Sequence, residues 1–72
     1  MRTFKEREIS ELQVKEGFIV KRCDLGWNLL HPELGGLSTK RNKVLLRIFK
    51  TSDAALSLLG RYDVKDTKVQ LN

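Results

Sequence analysis

The segment from Val44 to Tyr62 constrains the fold most strongly, because a strand pattern runs directly into a helix pattern. Residues 44–49 are apolar at almost every position, which predicts a central strand buried on both faces. Thr51 and Ser52 are good N-cap residues, and Asp53 in the first turn suits a helix N-terminus. Apolar residues at helical spacing then predict a helix over 52–62, with an inward stripe of Ala55, Leu58, Leu59 and Tyr62. An end at Gly60 is the alternative to an end at Tyr62.

A hairpin is predicted upstream of this segment. Residues 18–23 indicate a strand, and residues 27–30 indicate the strand that returns beside it. Asp24-Leu25-Gly26 is predicted to form a turn of about three residues, since Gly26 takes positive φ at little cost. The inward side chains expected from the alternation are Phe18, Val20, Trp27 and Leu29.

The remaining segments give weaker patterns. Residues 5–16 are predicted to form a helix that ends at Gly17, and a strand over 12–14 is the alternative. Residues 31–43 are predicted to form a long loop, because Pro32 and the Gly35-Gly36 pair disfavour regular elements. An irregular strand around 37–39 is the alternative for part of that loop. Residues 68–71 alternate and predict a short last strand.

The order of elements is α-β-β-β-α-β, which predicts an α+β fold over a single domain, residues 1–72. We expect a small antiparallel sheet of three to four strands, packed by one or two helices. So short a chain has a small core, which favours self-association. A homodimer is predicted through Leu45 and Phe49, on the strand face opposite Leu46 and Ile48, or by edge-to-edge pairing of strands.

The residue inventory excludes several classes of function. One Cys and one His leave no disulfide framework and no clustered zinc site within one chain. The same inventory offers little for catalysis, so we expect a protein that is not an enzyme and uses no metal or cofactor. No apolar run has the length of a membrane span, and the first eight residues are too charged for a signal peptide. We therefore expect a cytoplasmic protein without a membrane partner, with Cys23 as a reduced thiol.

Positive charge is segregated along the chain. The window from Leu34 to Ser52 contains no acidic residue, and the remaining sequence holds nine basic and nine acidic residues. The whole net charge of +5 therefore belongs to this window. Its cations, the predicted nucleic-acid or polyanion-binding residues, are Lys40, Arg41, Lys43, Arg47 and Lys50.

This basic window has three interpretations. Nucleic acid is the first, because loop cations can contact phosphates in a salt-sensitive way. An acidic surface of a host protein is the second, in which case the chain acts as an inhibitor or adaptor. A solvated loop that merely keeps the protein soluble is the third. Trp27 is expected to be a core residue, and it becomes a stacking residue for bases if it is exposed beside the loop.

Three stretches of the sequence form a recognisable pattern: a Gly-Phe strand at 17–18, a Gly-Trp hairpin at 26–27, and Arg47 to Leu56, which reads RIFKTSDAAL. With this pattern the chain resembles a family of small proteins from plasmids and mobile elements. The step from Phe49 into an Asp-Ala-Ala helix is similar to the partition-associated ParC-like accessory proteins. The resemblance implies an accessory, non-enzymatic role in plasmid maintenance or regulation, and it transfers no binding residue.

Overall fold

The computed structural model describes residues 2–71 and shows an α+β fold with one sheet of five strands and two helices. In chain order the elements are β1 (Thr3–Phe4), α1 (Glu6–Glu11), β2 (Ile19–Cys23), β3 (Gly26–His31), β4 (Gly35–Leu37), α2 (Ser52–Gly60) and β5 (Lys68–Gln70). The strands lie side by side in the order β1-β4-β3-β2-β5.

The sheet is mixed, so the prediction of an antiparallel sheet of three to four strands is wrong in part. Neighbouring strands in the centre, β4-β3-β2, are antiparallel as expected. Both edge strands are parallel to their neighbours, β1 to β4 and β5 to β2. Parallel neighbours need long crossover connections, and here the crossovers bring the two ends of the chain to opposite edges. The short strand β1 was not predicted, whereas β5 was.

The predicted hairpin is confirmed, with a tighter turn. Cys23 pairs with Gly26, which leaves the two residues Asp24 and Leu25 as the connection. Gly26 lies in β3 with φ +153°, and a Cβ placed on it would come within 2.2 Å of the Phe49 carbonyl oxygen. The glycine is therefore required by the close approach of a neighbouring backbone more than by the turn.

The prediction that residues 44–49 form the central strand is wrong, because β3 occupies the centre of the sheet. Residues 44–49 make only isolated bridges, Leu46 with Ser38 and Phe49 with Trp27. Val44 and Leu45 are 77% and 55% exposed, so the apolar run is not a buried ladder. One end of β3, at Leu30 and His31, is paired with β4. Residues 44–49 therefore meet the same edge of β3 only at its other end, where Phe49 bridges Trp27.

The predicted loop over 31–43 is also wrong in part, because it contains β4, which overlaps the alternative strand around 37–39 at Leu37. Gly36 lies in this strand, and a Cβ there would come within 2.3 Å of Leu46 Cδ2. The missing side chain leaves room for Leu46 over Gly36, which accounts for a glycine in this strand despite the backbone entropy that it loses.

Helix α1 is shorter than the predicted 5–16, and the alternative strand over 12–14 is not formed either. Leu12 leaves the helix with extended backbone angles, so Gly17 does not end it. His31 holds the irregular segment that follows. Its Nδ1 accepts from the backbone N–H groups of Glu33 and Leu34 at 3.2 and 3.3 Å, so Nε2 carries the proton and donates to the Glu16 carbonyl at 3.1 Å.

Helix α2 confirms the predicted cap and inward stripe, and of the two predicted ends, Gly60 and Tyr62, it ends at Gly60. The Thr51 hydroxyl accepts a hydrogen bond from Ala54 N at 3.2 Å, as expected for an N-cap. The inward residues of α2 belong to a single hydrophobic core, to which both helices and the sheet contribute. The buried residues of this core are Phe4, Ile9, Phe18, Val20, Leu29, Leu37, Phe49, Ala55, Leu58, Leu59 and Val64.

The predicted dimer surface changes with this core. Phe49 is only 5% exposed and packs inside the protomer, so its assignment to an outer face with Leu45 is wrong. Phe49 is buried because two backbone hydrogen bonds with Trp27 hold Phe49 at the edge of β3, next to the core. The homodimer itself stays a prediction, which light scattering of the purified protein tests.

Candidate functional site

The predicted binding cations lie on residues 38–50, called here the basic loop, and its first part is held in shape by its own hydrogen bonds. The bridge between Ser38 and Leu46 closes this part at its base. The Thr39 hydroxyl bonds to both the backbone N and O of Asn42 at 3.0 Å. The Asn42 side chain in turn accepts from Val44 N at 3.0 Å. Side chains of Thr and Asn commonly order turns in this way, so the cations are presented on an organised backbone.

The N-terminal segment fastens this loop to the domain. Lys5 Nζ donates to the carbonyl oxygens of Thr39 at 2.8 Å and Lys40 at 3.5 Å. The Thr3 hydroxyl also donates to the carbonyl oxygen of Lys43. These contacts use backbone oxygens of the loop, which leaves the side chains of Lys40 and Lys43 available to a ligand. The position of the loop is therefore set by the junction between β1 and α1.

A shallow pocket lies at this junction. It has a volume of about 390 Å³, and its lining residues are Lys5, Glu6, Arg7, Lys40 and Lys43. Four of the five side chains are cationic, and they come from two segments that are more than thirty positions apart in sequence. This surface is called the basic pocket below.

Glu6 is the one acidic residue among the five that line the basic pocket in the described part of the chain. Its carboxylate already has two partners within the chain. Arg47 Nη1 lies 3.6 Å from Glu6 Oε1, and the Tyr62 hydroxyl donates to Glu6 Oε2 at 2.6 Å. The hydrogen bond to this carboxylate, then partial desolvation and the carboxylate's charge, raise the pKa of Tyr62 above its ordinary value. Because Arg47 compensates the charge of Glu6, the pocket keeps a positive surplus.

Arg47 has a different environment from the other predicted binding cations. Its guanidinium lies over the ring of Phe49, 4.6 Å from the ring centroid, in addition to its ion pair with Glu6. The side chain is only partly exposed. These contacts within the chain make Arg47 a residue that orients Glu6 and covers the core edge.

The other four predicted cations are exposed, and none of them forms an ion pair with an acidic group in residues 2–71: Lys40, Arg41, Lys43 and Lys50. Trp27 is half-buried and packs against the core, and its backbone pairs with Phe49 next to Lys50. A stacking role for Trp27 stays a prediction.

Sequence reasoning missed Lys5 and Arg7 as members of this surface. They lie in a segment where acids and bases alternate, so a count of charge along the chain shows no surplus there. In the structure, contacts of Lys5 with the loop carbonyls bring them beside Lys40 and Lys43. The parallel pairing of β1 with β4 is the structural cause, since it places residue 5 beside the start of the basic loop.

Comparison of the chain with protein-family models, with curated proteins and with solved structures gave no match. The resemblance to ParC-like accessory proteins therefore stays a prediction. Within the described residues, neither helix has the length and apolar character to cross a membrane.

Proposed function

We propose that this chain is a non-enzymatic accessory protein of a plasmid or mobile element, which binds nucleic acid through the basic loop. The observation that carries the proposal is the set of exposed cations on an internally hydrogen-bonded loop: Lys40, Arg41, Lys43 and Lys50. No acidic residue interrupts them along residues 38–50. A cytoplasmic location is part of this proposal, because the nucleic acid of such elements lies there.

The expected mode of binding is contact with the phosphate backbone. Reading of bases in the major groove commonly uses a helix with polar or cationic side chains, yet α2 carries neither Lys nor Arg. Helix α1 has six residues, too few to extend along the groove. Loop cations supply the electrostatic term that dominates non-specific affinity. We therefore expect steep salt dependence and weak preference for sequence.

The test is titration of the purified protein with random-sequence duplex DNA at several salt concentrations. The triple variant Lys40→Ala, Arg41→Ala, Lys43→Ala removes three cations while the loop keeps its backbone hydrogen bonds. The control variant Arg22→Ala, Arg61→Ala, Lys65→Ala removes the same charge at exposed positions outside the loop.

We expect the loop variant to bind more weakly. Its log–log salt slope should flatten by about one unit for each phosphate that the loop no longer neutralises. The control variant should retain most of both properties. Equal losses in the two variants would show that net charge, and not the loop, sets the affinity. Wild-type affinity and salt response in the loop variant would make the basic loop only a solubility feature.

An acidic protein surface is a second candidate partner, favoured by a specific observation. Val44 and Leu45 are exposed beside the loop cations, and Ile48 is 41% exposed. Apolar side chains next to cations are typical of protein interfaces more than of phosphate contacts. If the protein fails to bind duplex DNA even at low salt, this candidate replaces nucleic acid. The variant Leu45→Ser should then weaken binding of that partner.

A further inference from the structure

The basic pocket differs chemically from the exposed loop cations. Arg41 and Lys50 present separate charges to a long polyanion, whereas the pocket brings Lys40 and Lys43 together with Lys5 and Arg7 at one depression. A phosphomonoester carries about −1.5 to −2 charge near neutral pH, while each diester linkage of a nucleic acid carries about −1. A concentrated cluster of cations therefore favours the monoester.

The geometry supports a pocket that is already formed without a ligand. Lys5 donates to two loop carbonyls, so its ammonium is fixed in place and keeps one of its three donors for a ligand. Glu6 is held by Arg47 and Tyr62 and does not need to be displaced. The fixed ammonium and the occupied carboxylate reduce the ordering cost of binding an anion.

The size of the pocket is also suitable. The depression is shallow and open to solvent, with a volume of about 390 Å³, so a small anion meets no steric barrier to entry. A phosphate group can therefore enter together with part of its hydration shell. The pocket is open on one side, so the group attached to the phosphate can extend into solvent or along the basic loop.

We propose that the basic pocket binds a terminal phosphate group, with Arg7 and Lys43 as the two principal ligands beside the fixed Lys5. Arg7 offers a planar fork of donors that matches phosphate oxygens, and Lys43 contributes a flexible ammonium from the basic loop. If the phosphate belongs to the end of a nucleic acid, this proposal rests on the proposed function. A free nucleotide is the other source of the same chemistry.

The experiment compares one DNA duplex with either 5′-phosphate or 5′-hydroxyl ends, bound to three forms of the full chain. These forms are the wild type, Arg7→Gln, and the matched control Arg61→Gln at another exposed arginine. We expect the wild type and the control to bind the phosphorylated duplex about fivefold more tightly. In Arg7→Gln the preference should fall close to one, because the pocket no longer has its forked donor.

A second arm uses inorganic phosphate and a nucleoside monophosphate, observed by the backbone amide signals of the wild type. We expect saturable shifts at residues 5–7 and 40–43, which disappear in Arg7→Gln and persist in Arg61→Gln. If neither duplex binds but these shifts occur, the nucleic-acid function fails and the pocket remains, with a free phosphate compound as its ligand. If both duplexes bind the wild type equally and no such shifts occur, the pocket proposal is overturned and the nucleic-acid function survives.

Discussion

Replacing Gly26 by Ala tests whether a close backbone approach decides the path of the basic loop. The new Cβ would lie 2.2 Å from the Phe49 carbonyl oxygen, and this contact is with backbone that cannot rotate away. The segment around Phe49 must therefore move. Its two hydrogen bonds with Trp27, Trp27 N to Phe49 O and Phe49 N to Trp27 O, are both 2.9 Å and would break or lengthen.

The cost follows from this geometry. Two backbone hydrogen bonds contribute about 1 kcal/mol each, and a non-glycine residue at φ +153° adds about 1 kcal/mol or more of strain. We expect Gly26→Ala to lower the free energy of unfolding by about 3 kcal/mol. At the usual ~0.05–0.15 kcal/mol per residue, a domain of this size has about 4–11 kcal/mol in total. The variant should therefore remain folded with a clearly lower midpoint.

The assay is urea unfolding followed by circular dichroism and by fluorescence of Trp27, the only tryptophan in the chain. Gly60→Ala is the matched control, because a Cβ there meets nothing within 4 Å and the residue ends α2. Alanine at that position should raise stability by about 0.5 kcal/mol. A Gly26→Ala variant whose unfolding free energy stays within about 0.5 kcal/mol of the wild type would refute the reasoning.

Three further outcomes are expected. Leu58→Asp buries a carboxylate at a position only 1% exposed, so its circular dichroism should show an unfolded chain, whereas Ser57→Asp on the exposed side should stay folded. Glu6→Gln should return the pKa of Tyr62 toward its ordinary value, as read from tyrosinate absorbance. The raised pKa of Tyr62 stabilises the fold below pH 10, and this contribution is lost as the pH rises through the pKa of the folded state. If Glu6→Gln changes the free energy of unfolding equally at all pH values, the hydrogen bond does not raise the pKa of Tyr62. His31→Phe removes three hydrogen bonds to backbone and should cost about 1–3 kcal/mol in thermal or urea unfolding; an unchanged midpoint would contradict the role of His31 in holding the segment after α1.

The site was predictable only to the extent that it is local in sequence. The loop cations were found from the charge of one window, because they are neighbours along the chain. Lys5 and Arg7 join them through the pairing of β1 with β4, and a strand of two residues leaves too little pattern to detect. Arg47 was grouped with the free cations, since a sequence does not show that Glu6 and Phe49 lie beside it.

The sequence by itself determined the elements whose signals are short-range. The Thr51 cap and the apolar stripe specify α2, and alternation on either side of Asp24-Leu25 specifies the hairpin. Only the tertiary structure decided the fate of residues 44–49, whose apolar run matches a strand yet is partly exposed. The physical reason is that strand propensity reflects only how well side chains pack on a pleated surface. Which strands pair by hydrogen bonds depends on the arrangement of the whole sheet. Here β4 pairs with one end of this edge of β3, at Leu30 and His31, so residues 44–49 pass over Gly36 and meet β3 only at Trp27.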